Sequence, residues 1–501
     1  MRREERENYE EVNSQERRRG KNSRAKSQRS KKFRNKEFAR VTYLFVALFL
    51  ALMAYMVYFN IVRAKTIVNS PYNERQDAFA DRVIRGSIVD KNGNVLAETN
   101  VAEDGTEVRN YPYGAAFAHV VGYSYPSTGK SGLESIENFE LLTSNAFFPQ
   151  KLMNEFKDEK NMGDTVVTTL DADLQQAAYN ALGGNKGAVV VMEASTGKIL
   201  SMVSGPTYDP NNVEADWQAL NADDSESPLL NRATQGQYAP GSTFKVVTAL
   251  EYMREHSDYA NYTYDCAGEI TAEGVTIHCF DSTVHGLQDL RGSMANSCNS
   301  SFANIGLSLN KTSYRKTAEE LLFNKKLPSV LDYSKGSFRI DENSSGAEMM
   351  MTAMGQGETL VSPYHMALIT SAIANGGTLM DPYLVEKVTN ANGAEIRKNV
   401  PKSYKRLMTS DEASQLKEYM RAVVDEGTAT MLSGQSYTVA GKTGTAEYSM
   451  DDGEKTHSWF MGFTNVDNPE LVISVIIEGY DGDAGAKAVP IAKQILDSYY
   501  Y

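Results

Sequence analysis

The sequence predicts an α+β protein with one membrane-spanning helix, a modest α+β pedestal and a larger C-terminal domain of antiparallel sheet flanked by helices. Three observations predict it. An uncharged run of 22 residues, Val41–Val62, follows a basic tail. Residues 63–165 mix polar turns with short apolar runs. From residue 166 onward, β-like segments stand at both ends and helical ones between them, as in a sheet closed by the termini of one domain.

The tail, residues 1–40, carries 15 Lys/Arg against seven Asp/Glu, while the remainder of the chain sums to −21. That basic stretch is short, contains acids and lacks interleaved aromatics, which argues against a nucleic-acid partner. It is also too polar to fold alone. At ~1.5 Å per residue the Val41–Val62 run reaches ~33 Å, enough to cross a bilayer core. It is longer than the apolar core of a cleaved signal and leads into Arg63-Ala64-Lys65 without a small-residue cleavage pattern. The positive-inside rule places the tail in the cytoplasm and everything after residue 62 outside, on a single-pass anchor.

In the pedestal, Arg85 to Gly93 reads as a strand entering a Lys-Asn-Gly turn, and no constellation for chemistry is visible. In the domain at 166–501, Asp171 is placed to cap a helix carrying Leu174, Ala177, Ala178 and Leu182. Ala188–Met192 and Ile199–Val203 form a hairpin around a Gly-containing turn. Tyr437–Ala440, Trp459–Phe463 and Leu471–Ile477 are the closing strands, and Ala488–Tyr499 is a helix with Pro490 in its first turn.

A nucleophilic serine needs a base within hydrogen-bond reach, and Ser-x-x-Lys supplies one on a helix, where positions i and i+3 share a face. The pattern is common: it recurs at Ser23, Ser127, Ser195, Ser308 and Ser313. Ser242 differs from these in following Ala239-Pro240-Gly241 and opening an apolar helix with Phe244, Val246, Val247, Ala249, Leu250 and Met253. Its hydroxyl then lies at a helix N-terminus, where free N–H groups suit an oxyanion, and burial of Lys245 would free its lone pair. The alternative is a capping serine with a solvated lysine. Ser297-Cys298-Asn299 offers a hydroxyl and an amide on alternate positions, although Ser308-Leu309-Asn310 fits the same template. Lys442-Thr443-Gly444-Thr445 follows an apolar β-like run. A cation and two hydroxyls there suit a carboxylate, and Gly444 admits close backbone approach.

These three elements, in this order and 55 and then 145 residues apart, resemble the signature set of the penicillin-binding proteins and class A β-lactamases. The resemblance extends to Asn231-Arg232-Ala233-Thr234 before the serine, Gly187 to Lys198, His285-Gly286-Leu287, Gly355-Gln356-Gly357-Glu358, Ser362-Pro363 and Ala374 to Gly377. Arg85-Gly86-Ser87-Ile88 resembles the start of a class B pedestal. The chain is thus similar over residues 70–501 to the class B penicillin-binding proteins, monofunctional peptidoglycan D,D-transpeptidases with a serine β-lactamase-like fold.

The resemblance implies that Ser242 attacks the penultimate D-Ala carbonyl of a stem peptide, Lys245 accepts its proton, and Ser297, with Lys442, protonates the leaving amine. It implies further that Asn299 holds the substrate amide, that Thr443 and Thr445 bind its carboxylate, and that the N–H groups of Ser242 and Thr445 form the oxyanion hole. Penicillins would trap Ser242. A second stem peptide's amine would resolve the acyl-enzyme, and a separate membrane-embedded polymerase would supply glycan. A carboxypeptidase, a β-lactamase and a non-enzymatic penicillin sensor are the rival readings. The middle element departs from Ser-Asp-Asn, and Cys298 is expected to point away from the site. Cys266 and Cys279 could pair, leaving Cys298 free, or all three could be buried thiols. No cofactor is expected, and no metal, because the six His stand in no zinc spacing with the cysteines.

Overall fold

The structure, a computed structural model, describes residues 4–60, 82–450, 453–480 and 487–501. The chain divides into two units, Met1–Asn73 and Glu74–Tyr501. In the first, one helix runs from Glu4 to Tyr58. Its segment Lys36–Tyr58, 23 residues with a mean hydropathy of 2.1, is long and apolar enough to cross a membrane. Ile61 and Val62 of the expected span, and residues 63–81 of the expected pedestal, lie outside the described residues. The tail differs from expectation in being helical. Its Glu, Arg, Lys and Gln are strong helix formers, and continuity with the apolar segment removes the cost of a separate nucleus. No core is required.

The second unit is built on two sheets. The smaller, of six strands, has the order Glu395–Lys398, Val385–Thr389, Thr165–Thr168, Ile88–Val89, Val95–Val101, Glu107–Asn110. It therefore takes strands from both sides of residue 165, with Thr165–Thr168 bridging them by parallel pairing to Ile88–Val89 and antiparallel pairing to Val385–Thr389. The turn after Ile88–Val89 is organised by Asp90, whose Oδ1 accepts from the N–H groups of Asn92 and Asn94 at 2.8 Å. Gly86 is obligatory here, since a Cβ would stand 2.0 Å from the Asp164 carbonyl oxygen.

Glu134 lies at the centre of this region and is fully buried. Its carboxylate accepts from Arg85 Nε at 2.6 Å, Arg109 Nε at 2.7 Å and Tyr111 Oη at 3.2 Å. Burial pushes the carboxyl pKa up, but the charges of Arg109 and Arg85 outweigh it and hold the group below its ordinary value.

The larger sheet is antiparallel throughout, in the order Ile199–Gly205, Gly187–Glu193, Leu471–Tyr480, Gly453–Thr464, Val439–Met450. Gly187–Glu193 pairs with Leu471–Tyr480, so the two ends of the domain do close one sheet, and both strands are buried almost throughout, as a central pair should be. Helix Pro363–Ala374 packs on this sheet and is buried at every position; Ser362 caps it by accepting from His365 N–H, with Pro363 in its first turn. Asp171 caps Ala172–Leu182 through Leu174 N–H, and that helix packs with Ala488–Tyr500 against the sheet. The stretch between the strand groups is less helical than its sequence suggests. It also holds short strands at Thr263–Cys266, Glu269–Ala272, Val275–His278, Gly286–Asp289, Thr378–Met380 and Ser403–Arg406.

Candidate active site

Ser242 is the second residue of a 3₁₀ turn, Gly241–Phe244, that runs into the α-helix Lys245–Glu255, rather than standing in the α-helix itself. The helix buries Lys245 to Glu251 without interruption, so Lys245 is carried into the interior by its apolar neighbours. Three contacts hold the turn. Gly241 adopts φ +54°, and a Cβ on it would meet the Thr445 carbonyl oxygen at 2.5 Å. Its N–H donates to the Gly355 carbonyl at 2.9 Å. Trp459 Nε1, fully buried, donates to the Ala239 carbonyl at 3.0 Å.

Ser297 occupies the short link between helices Leu290–Ala295 and Asn299–Ser308 at φ +53°, a conformation that a serine rarely adopts. The link aims its hydroxyl at two amines. Lys442 Nζ donates to Ser297 Oγ at 2.8 Å, and Lys245 Nζ lies 3.3 Å from the same oxygen. Lys245 also donates to the Ser297 carbonyl at 2.6 Å and to Asn299 Oδ1 at 2.7 Å, and its Nζ stands 5.5 Å from the centre of the Phe302 ring. Both lysines are completely buried, and among the described residues no carboxylate hydrogen-bonds either amine. Burial accordingly lowers the Lys245 pKa to about 7. Burial, and then the charge of Lys245, push Lys442 well below its ordinary value. An amine that titrates near pH 7, next to a hydroxyl that links it to a second amine, can accept a proton and pass one on.

Lys442, Thr443, Gly444 and Thr445 lie within the edge strand Val439–Met450, which extends well beyond the apolar run that announces it. Thr443 Oγ1 bonds to Thr428 Oγ1 at 2.6 Å. Thr428 is a neighbour that no sequence pattern marks; its loop is pinned where a Cβ on Gly427 would meet the Ala295 carbonyl oxygen at 2.2 Å.

The structure thus brings Lys245, Ser297, Asn299 and Lys442 into one hydrogen-bonded group, with the Ser242 turn and Thr445 packed together beside it. Three expectations are modified. Ser242 Oγ has no hydrogen-bond partner among the described residues, because Lys245 Nζ is engaged by Ser297 and Asn299 instead. Asn299, expected to hold a substrate amide, also serves the protein: its Oδ1 accepts from Lys245, and one Nδ2 hydrogen goes to the His278 carbonyl at 2.9 Å on the exposed side of the residue. Gly444 admits the protein's own backbone, since a Cβ there would stand 3.0 Å from the Pro240 carbonyl oxygen and from Thr243. Cys298 does turn from the lysines: it caps the following helix through Ser301 N–H, its sulfur 3.7 Å from that of Cys279. Cys266 and Cys279 are buried and free rather than bonded, their sulfurs 3.7 Å apart. The spacing argument against a metal meets a different geometry, because the fold carries His285 to within 3.4 Å of Cys266 Sγ. A further Ser-x-x-Lys, Ser414 with Lys417, lies on helix Ser410–Asp425, its lysine over the Phe463 ring and away from this group.

Gly355 is a positioning residue that the sequence marks only within Gly355-Gln356-Gly357-Glu358. At φ +87°, a Cβ on it would come within 1.8 Å of the Gly241 carbonyl oxygen. Gly355→Ala is expected to cost about 1–3 kcal/mol through backbone strain and to displace the turn that carries Ser242. Urea unfolding checks the first effect and a crystal structure of the variant checks the second.

Comparison with known proteins places this geometry in context. Residues 187–497 match the family model described as the penicillin binding protein transpeptidase domain, and residues 85–166 match the penicillin binding protein A dimerisation domain. The chain is 30% identical over 490 residues to the peptidoglycan D,D-transpeptidase PbpA of Mycolicibacterium smegmatis, covering 91% of this chain and 97% of the relative. Among solved structures, penicillin-binding protein A of Mycobacterium tuberculosis superposes with a TM-score of 0.76 at 29% identity, covering 83% of this chain and 99% of the other. The penicillin G acyl-enzyme complex of that protein matches with a TM-score of 0.75 at 28% identity, over 83% and 99% of the two chains.

Proposed function

Because this chain belongs to the penicillin-binding protein transpeptidases, and so is a serine acyl transferase of peptidoglycan synthesis, we propose that its acyl-enzyme forms on Ser242 with Lys245 as base. The observation that carries the assignment is the convergence of Lys245 and Lys442 on Ser297 Oγ, at 3.3 and 2.8 Å, one helical turn from Ser242.

In the proposed cycle, neutral Lys245 takes the Ser242 proton as Oγ bonds to the penultimate D-Ala carbonyl carbon of the stem peptide. The N–H groups of Ser242 and Thr445 receive the oxyanion, a reading supported by the packing of Gly241 on the Thr445 carbonyl. When the C–N bond breaks, the leaving D-Ala nitrogen takes a proton through Ser297, which Lys245 and Lys442 resupply. Thr443 and Thr445 hold the terminal carboxylate. A second stem peptide's amine then attacks the ester carbonyl and restores Ser242. Asn299 holds Lys245 in line through Oδ1, and the second Nδ2 hydrogen, beyond the one given to the His278 carbonyl, is left to meet the substrate amide.

Penicillin follows the first half of this cycle. Incubation with penicillin, digestion and mass mapping should place one adduct on the peptide containing Ser242, and Ser242→Ala should show none. An adduct on any other serine refutes the assignment.

We place the N-terminus in the cytoplasm and the unit from Glu74 outside, on the strength of the basic excess ahead of the apolar segment. We also propose a membrane-embedded glycan polymerase as partner of the anchored protein. Replacing Lys36–Tyr58 with an unrelated membrane helix tests this: unchanged penicillin acylation with failed complementation in cells is the expected result. Full rescue would mean that tethering alone suffices.

A further inference from the structure

Cys266, Cys279, His285 and Cys298 form a compact cluster whose ligand atoms all lie within 4.8 Å of one another. From this arrangement we infer that the four residues bind a structural zinc ion, or a divalent ion of the same thiolate preference, next to the Ser297–Asn299 element.

The distances fit a tetrahedron. Zinc with Zn–S of ~2.3 Å and Zn–N of ~2.0 Å sets sulfur–sulfur edges of about 3.8 Å and sulfur–nitrogen edges of about 3.5 Å. The cluster has Cys266 Sγ–Cys279 Sγ and Cys279 Sγ–Cys298 Sγ both at 3.7 Å, and Cys266 Sγ–His285 Nδ1 at 3.4 Å. A disulfide would need about 2.05 Å between sulfurs.

The groups around the sulfurs are donors. Gly268 N–H points at Cys266 Sγ and Ser301 N–H at Cys298 Sγ, each at 3.4 Å, and Ser300 Oγ lies 3.1, 3.3 and 3.4 Å from the three sulfurs. Donors aimed at sulfur orient and stabilise thiolates, which is the usual second layer of a metal site. Three thiolates packed together in a buried space then require a cation. On binding, the thiols lose their protons to solvent, and three thiolates, a neutral imidazole and a divalent ion leave a single negative charge.

The surrounding structure needs such a tie. The four ligands come from the end of strand Thr263–Cys266, the residue after strand Val275–His278, the residue before strand Gly286–Asp289 and the cap of helix Asn299–Ser308. Between them the chain has little core of its own: the cysteines cluster with Tyr264, while Phe280, Val284 and Leu287 are exposed. A metal would fasten these segments as disulfides or zinc do in small domains. It would also hold Cys298 between Ser297 and Asn299, and Cys279 beside His278, whose carbonyl accepts from Asn299. The predicted effect on the lysine group rests on the transpeptidase reading; the metal site itself does not.

The test uses the full-length protein, purified in detergent without a metal-affinity tag and with thiol reductant, and measures zinc by inductively coupled plasma mass spectrometry. We expect about one zinc per chain that survives dialysis against EDTA. Cobalt exchanged into the site should show thiolate charge-transfer bands and tetrahedral d–d bands. Cys266→Ser/Cys279→Ser and His285→Ala should lose the metal and lower the melting temperature. Zinc-free wild-type protein with three reactive thiols, a Cys266–Cys279 disulfide, or undiminished zinc in the double variant would each overturn the proposal. If the variants do not fold, wild-type stoichiometry and the cobalt spectrum decide alone. Acylation measured after zinc removal by a stronger chelator should slow; an unchanged rate overturns the positioning effect. Failure of the zinc-loaded protein to acylate would count against the Ser242 reading and not against the site.

Discussion

Lys245→Ala is expected to slow penicillin acylation by about 10²–10⁴-fold, the range for loss of a positioned base. Lys245→Arg should be nearly as damaging, since a guanidinium keeps its proton and cannot serve as base. The wild-type rate should also depend on pH in a defined direction. With its pKa lowered to about 7 by burial, Lys245 is protonated and idle in acid and becomes competent as it loses its proton. Acylation should therefore rise as pH increases through about 7 and level off above it. Stopped-flow measurement of adduct formation across pH, with thermal melts to establish that the variants are folded, checks both statements. A Lys245→Arg variant that acylates at the wild-type rate would make Lys245 an electrostatic group and send the search for a base elsewhere.

The second large effect concerns stability. Glu134 is the shared counter-ion of Arg85 and Arg109, all three essentially withdrawn from water. Glu134→Gln removes the charge and leaves two buried guanidiniums facing each other, so a loss of about 3–5 kcal/mol is expected. The pH dependence has a definite sign. The folded-state pKa of Glu134 lies below its ordinary value of 4.5, so its contribution is present above that value and is lost as pH falls through the folded pKa. Urea unfolding at neutral and acid pH should show the gap between wild type and variant narrowing in acid. If the variant is as stable as wild type at pH 7, the network is structurally redundant.

Much of this architecture was legible because local patterns and global fold agree. Asp171 opens an apolar helix with a helical period, while the continuous apolar runs after Ala188 and Leu471 read as doubly buried strands from their length, β-branched residues and bounding turns. The strand Val439–Met450 was recognised from its apolar start, and the polar Lys-Thr-Gly-Thr inside it concealed its length. Short strands such as Thr263–Cys266 and Val275–His278 were missed because four residues, half of them exposed, carry no period to read. In the candidate site, motif order points to Ser242, Lys245, Ser297 and Lys442. What the motifs could not give was the bonding inside the protein. The engagement of Asn299 by Lys245 and His278, the support from Gly355, and the meeting of His285 with three cysteines depend on contacts between segments far apart in sequence. Residue spacing that fits no zinc pattern says nothing about ligands supplied by four separate elements.

The two buried amines have a consequence for how this protein can vary. Each removes a charge-bearing group from water with no carboxylate partner among the described residues, and that desolvation works against stability. Selection for thermal robustness alone would therefore favour less polar residues at Lys245 and Lys442 wherever the Ser297 carbonyl and Asn299 Oδ1 can find other donors. On the proposed mechanism, turnover opposes that drift. A library sorted by melting temperature should consequently enrich silent enzymes, and any effort to harden this protein for structural or screening work has to be counter-sorted on adduct formation.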